Sequence, residues 1–141
     1  MTEAGASNFF VVWKNAQTGR RELVTAPLER IILEGVTRAS VLDLARERLG
    51  DEVDVVEMRF TMSEIVAAHD EGRLLEAFAA GTAFFIAAVG GIHFRGRDLV
   101  VPTEGSFGDR GTYTGLIRGW LSDIMYGNVE HEWGIVVDEV A

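Results

Sequence analysis

The sequence predicts a mixed α+β domain built on a mostly antiparallel sheet, on three observations. β-prone apolar runs separated by turn residues recur from NFFVVWK onward. Helical spacing of apolar residues appears in distinct stretches, the clearest near the C-terminal end. Strands and helices mix without regular βαβ alternation. The chain has 141 residues, 48% hydrophobic and 25% charged. A chain of this size can bury about two-thirds of its unfolded surface. With no repeat, low-complexity tract or linker, residues 1–141 are read as one domain.

The elements follow in order. NFFVVWK, the turn NAQTG and RRELVT form a hairpin signal. Pro27 ends it, and LERIIL crosses back over the apolar interior. In IILEGVTRAS, residues 31–40, the run breaks at Gly35 and Thr37 opens a helix. Val41, Leu42, Ala45 and Leu49 carry its apolar face, and Gly50 stops it. VDVVEMRF is a strand. TMSEIVAAHDEGRL is a second helix, with Thr61 and Glu64 in capping-box register. LLEAFAA, TAFFIAAV, GIHFRG and RDLVVP are short apolar segments, with Gly90-Gly91 and Arg95-Gly96 as turns between antiparallel strands. Tyr113, Leu116, Ile117, Trp120, Leu121, Ile124 and Met125 make one helical stripe closed by Gly127. EWGIVVDEV is a final strand or tail.

Charge and composition narrow the function classes. The net charge is -9, so the average field repels a polyanion, and the 12 arginines form no basic run. Nucleic acid is not expected as a partner. Without cysteine there is no disulfide, thiolate metal site or cysteine nucleophile. MTEAGASNFFVVWKN lacks a positively charged leader, and the glycine-interrupted AFAAGTAFFIAAVGGI falls short of the roughly 18–20 residues that span a bilayer. A soluble, intracellular protein, cytoplasmic by default, is the expectation.

Familiar catalytic templates are missing. There is no Gly-x-Ser-x-Gly elbow, Walker motif or dinucleotide glycine fingerprint. His69, His93 and His131 are well separated, so no metal site is assigned. Three loops rich in small residues and hydroxyls remain: TEAGASN (2–8), LEGVTR (33–38) and AAGTAFF (79–85). Two of them converging on one phosphate would supply amides, hydroxyls and a helix dipole. Read locally, the favoured assignment is Thr37 as an ordinary cap and Gly81 as an ordinary bulge.

Jointly, TEAGASNFF, IILEGVTR, EAFAAGTA, VVPT and LSDIMYGNVEHEW resemble the C-terminal half of the branched-chain amino acid aminotransferases. These are pyridoxal 5'-phosphate (PLP) enzymes of the class IV fold. The resemblance covers essentially the whole chain. It implies the C-terminal portion of the class IV large domain and amino transfer between a branched-chain amino acid and 2-oxoglutarate. It further implies that Glu3 pairs with the pyridine nitrogen and Leu33 packs on the ring face. Val36 and Thr37 would hold the phosphate, with Thr82 adding a hydroxyl. Thr82 and Ala83 would face the substrate carboxylate.

Several positions depart from the family pattern. Glu34 replaces a proline and adds a charge near the phosphate. Ala6 replaces a threonine beside the cofactor. Phe84 and Ala87 occupy the places of a Cys-x-x-Cys pair seen in some members. The resemblance places the Schiff-base lysine upstream of TEAG, so no catalytic residue is assigned. Lys14 lies 11 residues after Glu3, about 36 Å along an extended strand, too far to serve. The expected protein is therefore inactive alone or dependent on a partner that supplies the missing half, with a homo-oligomer as the other expected assembly. The alternatives are a pseudoenzyme, a small enzyme reusing the cavity for lysine-independent isomerisation or cyclisation, and a non-catalytic interaction module.

Overall fold

The computed structural model describes residues 1, 3–4, 7–29, 32–82, 85–105 and 111–138, and the statements below concern these. Eight strands and three helices occur among them. They are β1 (Glu3–Ala4), β2 (Ser7–Lys14), β3 (Arg21–Thr25), α1 (Val36–Leu49), β4 (Val53–Glu57), α2 (Met62–Asp70) and β5 (Leu74–Gly81). Then follow β6 (Phe85–Ala88), β7 (Gly91–Phe94), β8 (Arg97–Val100) and α3 (Tyr113–Met125).

The main sheet runs β4-β3-β2-β5-β6, with β1 paired to the start of β2. All its pairings are antiparallel except β3 with β4. That parallel pair needs a long crossover, and α1 provides it. A βαβ unit is therefore embedded in the sheet, which the absence of regular alternation did not foretell. The hairpin of β2 and β3 forms as expected, with Val11 opposite Val24.

β2 is central and covered on both faces, which explains its unbroken apolar run. Phe10 and Val12 pack with α1 and α3. Phe9, Val11 and Trp13 pack with α2, Phe60, Leu99 and Val101 on the other face. The Phe10 and Phe78 rings stack 4.8 Å apart. The expected apolar faces are buried: Val41, Leu42, Ala45 and Leu49 on α1, and Tyr113, Ile117, Leu121 and Ile124 on α3. Met125, at the end of the α3 stripe, is exposed instead. The capping box of α2 forms in full.

Glu76 in β5 is a buried carboxylate within an otherwise apolar strand. It accepts from the amides of Tyr113 and Thr114, both at 2.9 Å, and from the Thr114 hydroxyl at 2.7 Å. These are the first amides of α3, so the carboxylate satisfies donors that a helix start leaves open. It pins α3 to the sheet.

Three expectations are corrected. Thr37 does not open α1. Gly35 is the N-cap, in extended conformation, and Thr37 sits inside the first turn. The described part of LERIIL does not cross the apolar interior: Leu28, Glu29 and Leu33 are exposed. Gly90-Gly91 does not join two strands of one sheet, since β6 belongs to the main sheet and β7 pairs with β8 in a separate one. The Arg95-Gly96 turn does form, with both residues at positive φ. Residues 131–138 are a tail without strand structure.

Candidate functional site

The three small-residue loops meet at one end of the sheet. Asn8 pairs with Glu3 on one side and Ala80 on the other. Its buried side chain donates from Nδ2 to the Leu33 carbonyl oxygen at 3.1 Å. Its Oδ1 lies against Gly35, where a Cβ would come within 2.5 Å. Gly35 has φ -73, a value any residue adopts, so the site demands glycine for space rather than for backbone freedom. The Glu3 side chain and all of Ala6, Ala83 and Phe84 lie outside the described residues.

The mouth of α1 carries the features of an anion site. Gly35 offers no side-chain cap, and the first-turn amides of a helix have no acceptor inside it. No acidic residue stands in the first turn. Val36 is 84% exposed and Leu33 70% exposed, while Thr37 is half-buried. Thr82 follows β5 and is exposed.

A second anchor holds the same turn from inside. Arg38 is 3% exposed, and its Nη2 donates to the Ala26 carbonyl at 3.0 Å and to Glu57 at 2.5 Å. Arg46 donates to the other oxygen of Glu57 at 3.0 Å. The Arg38 hydrogen bond, followed by that of Arg46, holds the Glu57 carboxyl below the usual glutamate range against the opposing effect of burial. Arg38 is therefore engaged within the fold, fastening the first turn of α1 to Ala26 and Glu57.

A groove of about 1430 Å³ opens beside this mouth. Val36 and Thr37 line it with Phe85, the C-terminal end of α3, and Trp133, Ile135 and Val136 of the tail. Its charged lining residues are Glu34, Asp43 and Glu130, with no basic residue among those described. The groove body thus suits apolar contacts, and among the described residues only the helix mouth favours an anion. Phe85 brings the third loop to the groove and adopts φ 55, a strained value for a bulky residue. Among the described residues no group of three His, Asp or Glu could hold a metal, and no helix is long and apolar enough to cross a membrane.

The structure thus joins Leu33, Val36 and Thr37 at one mouth and ties them through Asn8 to the strands leading to Glu3 and Thr82. Lys14 stands apart, exposed at the far end of β2. Sequence reasoning missed Asn8, Arg38 and Phe85. The first two were visible only as polar residues at the edges of quoted motifs, and the strain at Phe85 left no sequence signal.

A family model for amino-transferase class IV matches residues 1–92. The chain belongs to the class IV aminotransferases. The branched-chain-amino-acid aminotransferase of Monosiga brevicollis is 44% identical over 137 residues, 97% of this chain and 34% of that protein. The cytosolic branched-chain-amino-acid aminotransferase of Saccharomyces cerevisiae is 40% identical over 142 residues, 99% of this chain and 38% of that protein. The solved PLP form of the Thermobaculum terrenum branched-chain amino acid aminotransferase aligns with a TM-score of 0.65 at 28% identity, covering 91% of this chain and 34% of that one.

These extents correct the expectation of a C-terminal half. The matches begin near the first residue of this class IV chain and take in nearly all of it, yet the chain spans only about a third of each relative's length. The family model falls on the N-terminal two-thirds or so of the chain. The placement at the C-terminal end is withdrawn, for the relationship and for the fold alike. The α+β class with packed helices and sheet stands.

Proposed function

We propose that this class IV chain forms one wall of a PLP site serving amino transfer with a branched-chain amino acid and a 2-oxo acid such as 2-oxoglutarate. The observation that supports the reading best is the uncapped mouth of α1, to which Asn8 ties the Glu3 strand and the β5 end. The Val36 and Thr37 amides, with the Thr37 hydroxyl, bind the phosphate at the positive end of the helix dipole. Leu33, exposed beside the mouth, covers a ring face and keeps water from it. Glu3 pairs with the pyridine nitrogen. Thr82 and Ala83 receive the phosphate edge and the substrate carboxylate. PLP, when bound, supplies an electron sink for the transfer of the amino group.

The donor set suits a phosphate at the helix mouth and nowhere else in the groove, whose carboxylates repel an anion. Glu34 is exposed, so its charge is turned to water and screened. Amino transfer also needs an amine to hold the cofactor aldehyde and move the Cα proton. Lys14, the one lysine in the chain, is six residues along β2 from Asn8, about 20 Å at strand rise. The amine therefore comes from outside the 141 residues, from a further segment or a partner. Val36, Trp133, Ile135 and Val136 expose an apolar rim around the groove, the kind of surface a covering segment buries.

The test is addition of PLP to the purified chain with absorbance, borohydride reduction and a leucine–2-oxoglutarate assay. Binding without covalent label on Lys14 and without turnover supports the reading. A reduced adduct on Lys14, turnover by the isolated chain, or no PLP binding overturns it.

A further inference from the structure

We propose that Asn8 is a positioning residue of this site, setting the spacing between its phosphate end and its pyridine end. The inference rests on the PLP reading given above. Asn8 is 6% exposed and stands between the two ends. Along the sheet it is the direct partner of Glu3. Through Nδ2 it holds the Leu33 carbonyl at 3.1 Å. Through Oδ1 it meets Gly35, the residue that starts α1, closely enough that a Cβ there would clash at 2.5 Å.

One rigid side chain thus links a strand carrying a carboxylate to a helix mouth carrying free amides. The bond to Leu33 also turns that carbonyl toward Asn8, and the lack of a Cβ at Gly35 lets the helix start settle onto the amide. A ligand that engages both ends feels the spacing. A ligand that engages only the helix mouth does not.

That difference gives a readout that a merely structural role would not move. The probes are PLP and inorganic phosphate, titrated against the parent chain, Asn8→Leu and Asn8→Ser, with thermal unfolding measured alongside. Leucine keeps the branched shape at a larger volume and removes the donor, and serine is too short to reach Leu33. The expected result is an affinity for PLP about tenfold lower in both variants, the worth of one hydrogen bond, with phosphate affinity changed less than twofold. If Asn8→Leu does not fold, Asn8→Ser carries the comparison. Gly35→Ala should lower the melting temperature in the parent and be tolerated in an Asn8→Ala background, where the added methyl has room.

Parallel losses of PLP and phosphate, or no loss of either, overturn the positioning role while leaving the PLP reading intact. A parent chain that binds neither probe overturns the PLP reading itself.

Discussion

Glu76→Gln tests how α3 is fastened to the sheet. The Glu76 carboxylate is 2% exposed, and its two oxygens accept three hydrogen bonds at the start of α3. Glutamine keeps the shape but has one acceptor oxygen. If that oxygen serves Thr114, the side-chain NH2 faces the Tyr113 amide, and a buried donor is left unmatched. The unmatched donor costs about 1–3 kcal/mol. Losing the charge at the helix start costs up to about 1 kcal/mol more. The sum is about 1–4 kcal/mol, or a fall in melting temperature of roughly 3–15 °C for a domain of this size. Thermal unfolding followed by circular dichroism, repeated in urea, reads it. A variant melting within about 1 °C of the parent would refute the claim that this carboxylate docks α3, and with it the account of how one groove wall is held.

Other outcomes follow from the same contacts. Arg38→Met should destabilise the chain by about 1–3 kcal/mol, because the Ala26 carbonyl and Glu57 lose their buried donor, and phosphate titration should show weaker binding as the first turn of α1 loosens. Glu57 has a depressed pKa in the folded state, so its contribution is present above the ordinary glutamate range and is lost as pH falls through the folded value. Stability measured from pH 6 down to about 3 should therefore fall less steeply in Glu57→Gln than in the parent. Thr61→Ala removes the capping box of α2 and should cost about 1 kcal/mol in denaturant unfolding while leaving PLP and phosphate binding unchanged.

What could be read in advance was local. The β2–β3 hairpin, the Thr61–Glu64 box, the Arg95-Gly96 turn and the α3 stripe each rest on neighbours a few residues apart. The parallel pairing of β3 with β4 rests on residues about thirty positions apart, and no local pattern encodes it. Gly35 was seen as a flexible break, yet it starts α1 and is glycine because Asn8 lies against it. A hydroxyl before an apolar period is the usual cap signal and points to Thr37, whereas the cap is Gly35, which has no side chain. Glu76 sat in plain view within LLEAFAA, but its partners lie nearly forty residues away. The candidate site was legible as three loops with compatible chemistry. Their convergence through one buried amide was not.

The central claim is that the mouth of α1 is an anion site built from backbone amides and the Thr37 hydroxyl. Calorimetric titration of PLP and inorganic phosphate into the parent chain and Thr37→Ala tests it most directly. Because Thr37 is not the N-cap, Thr37→Ala should melt within about 2 °C of the parent, with affinity for both ligands about three- to tenfold weaker. Equal affinities in the two proteins, or no binding by the parent, would contradict it.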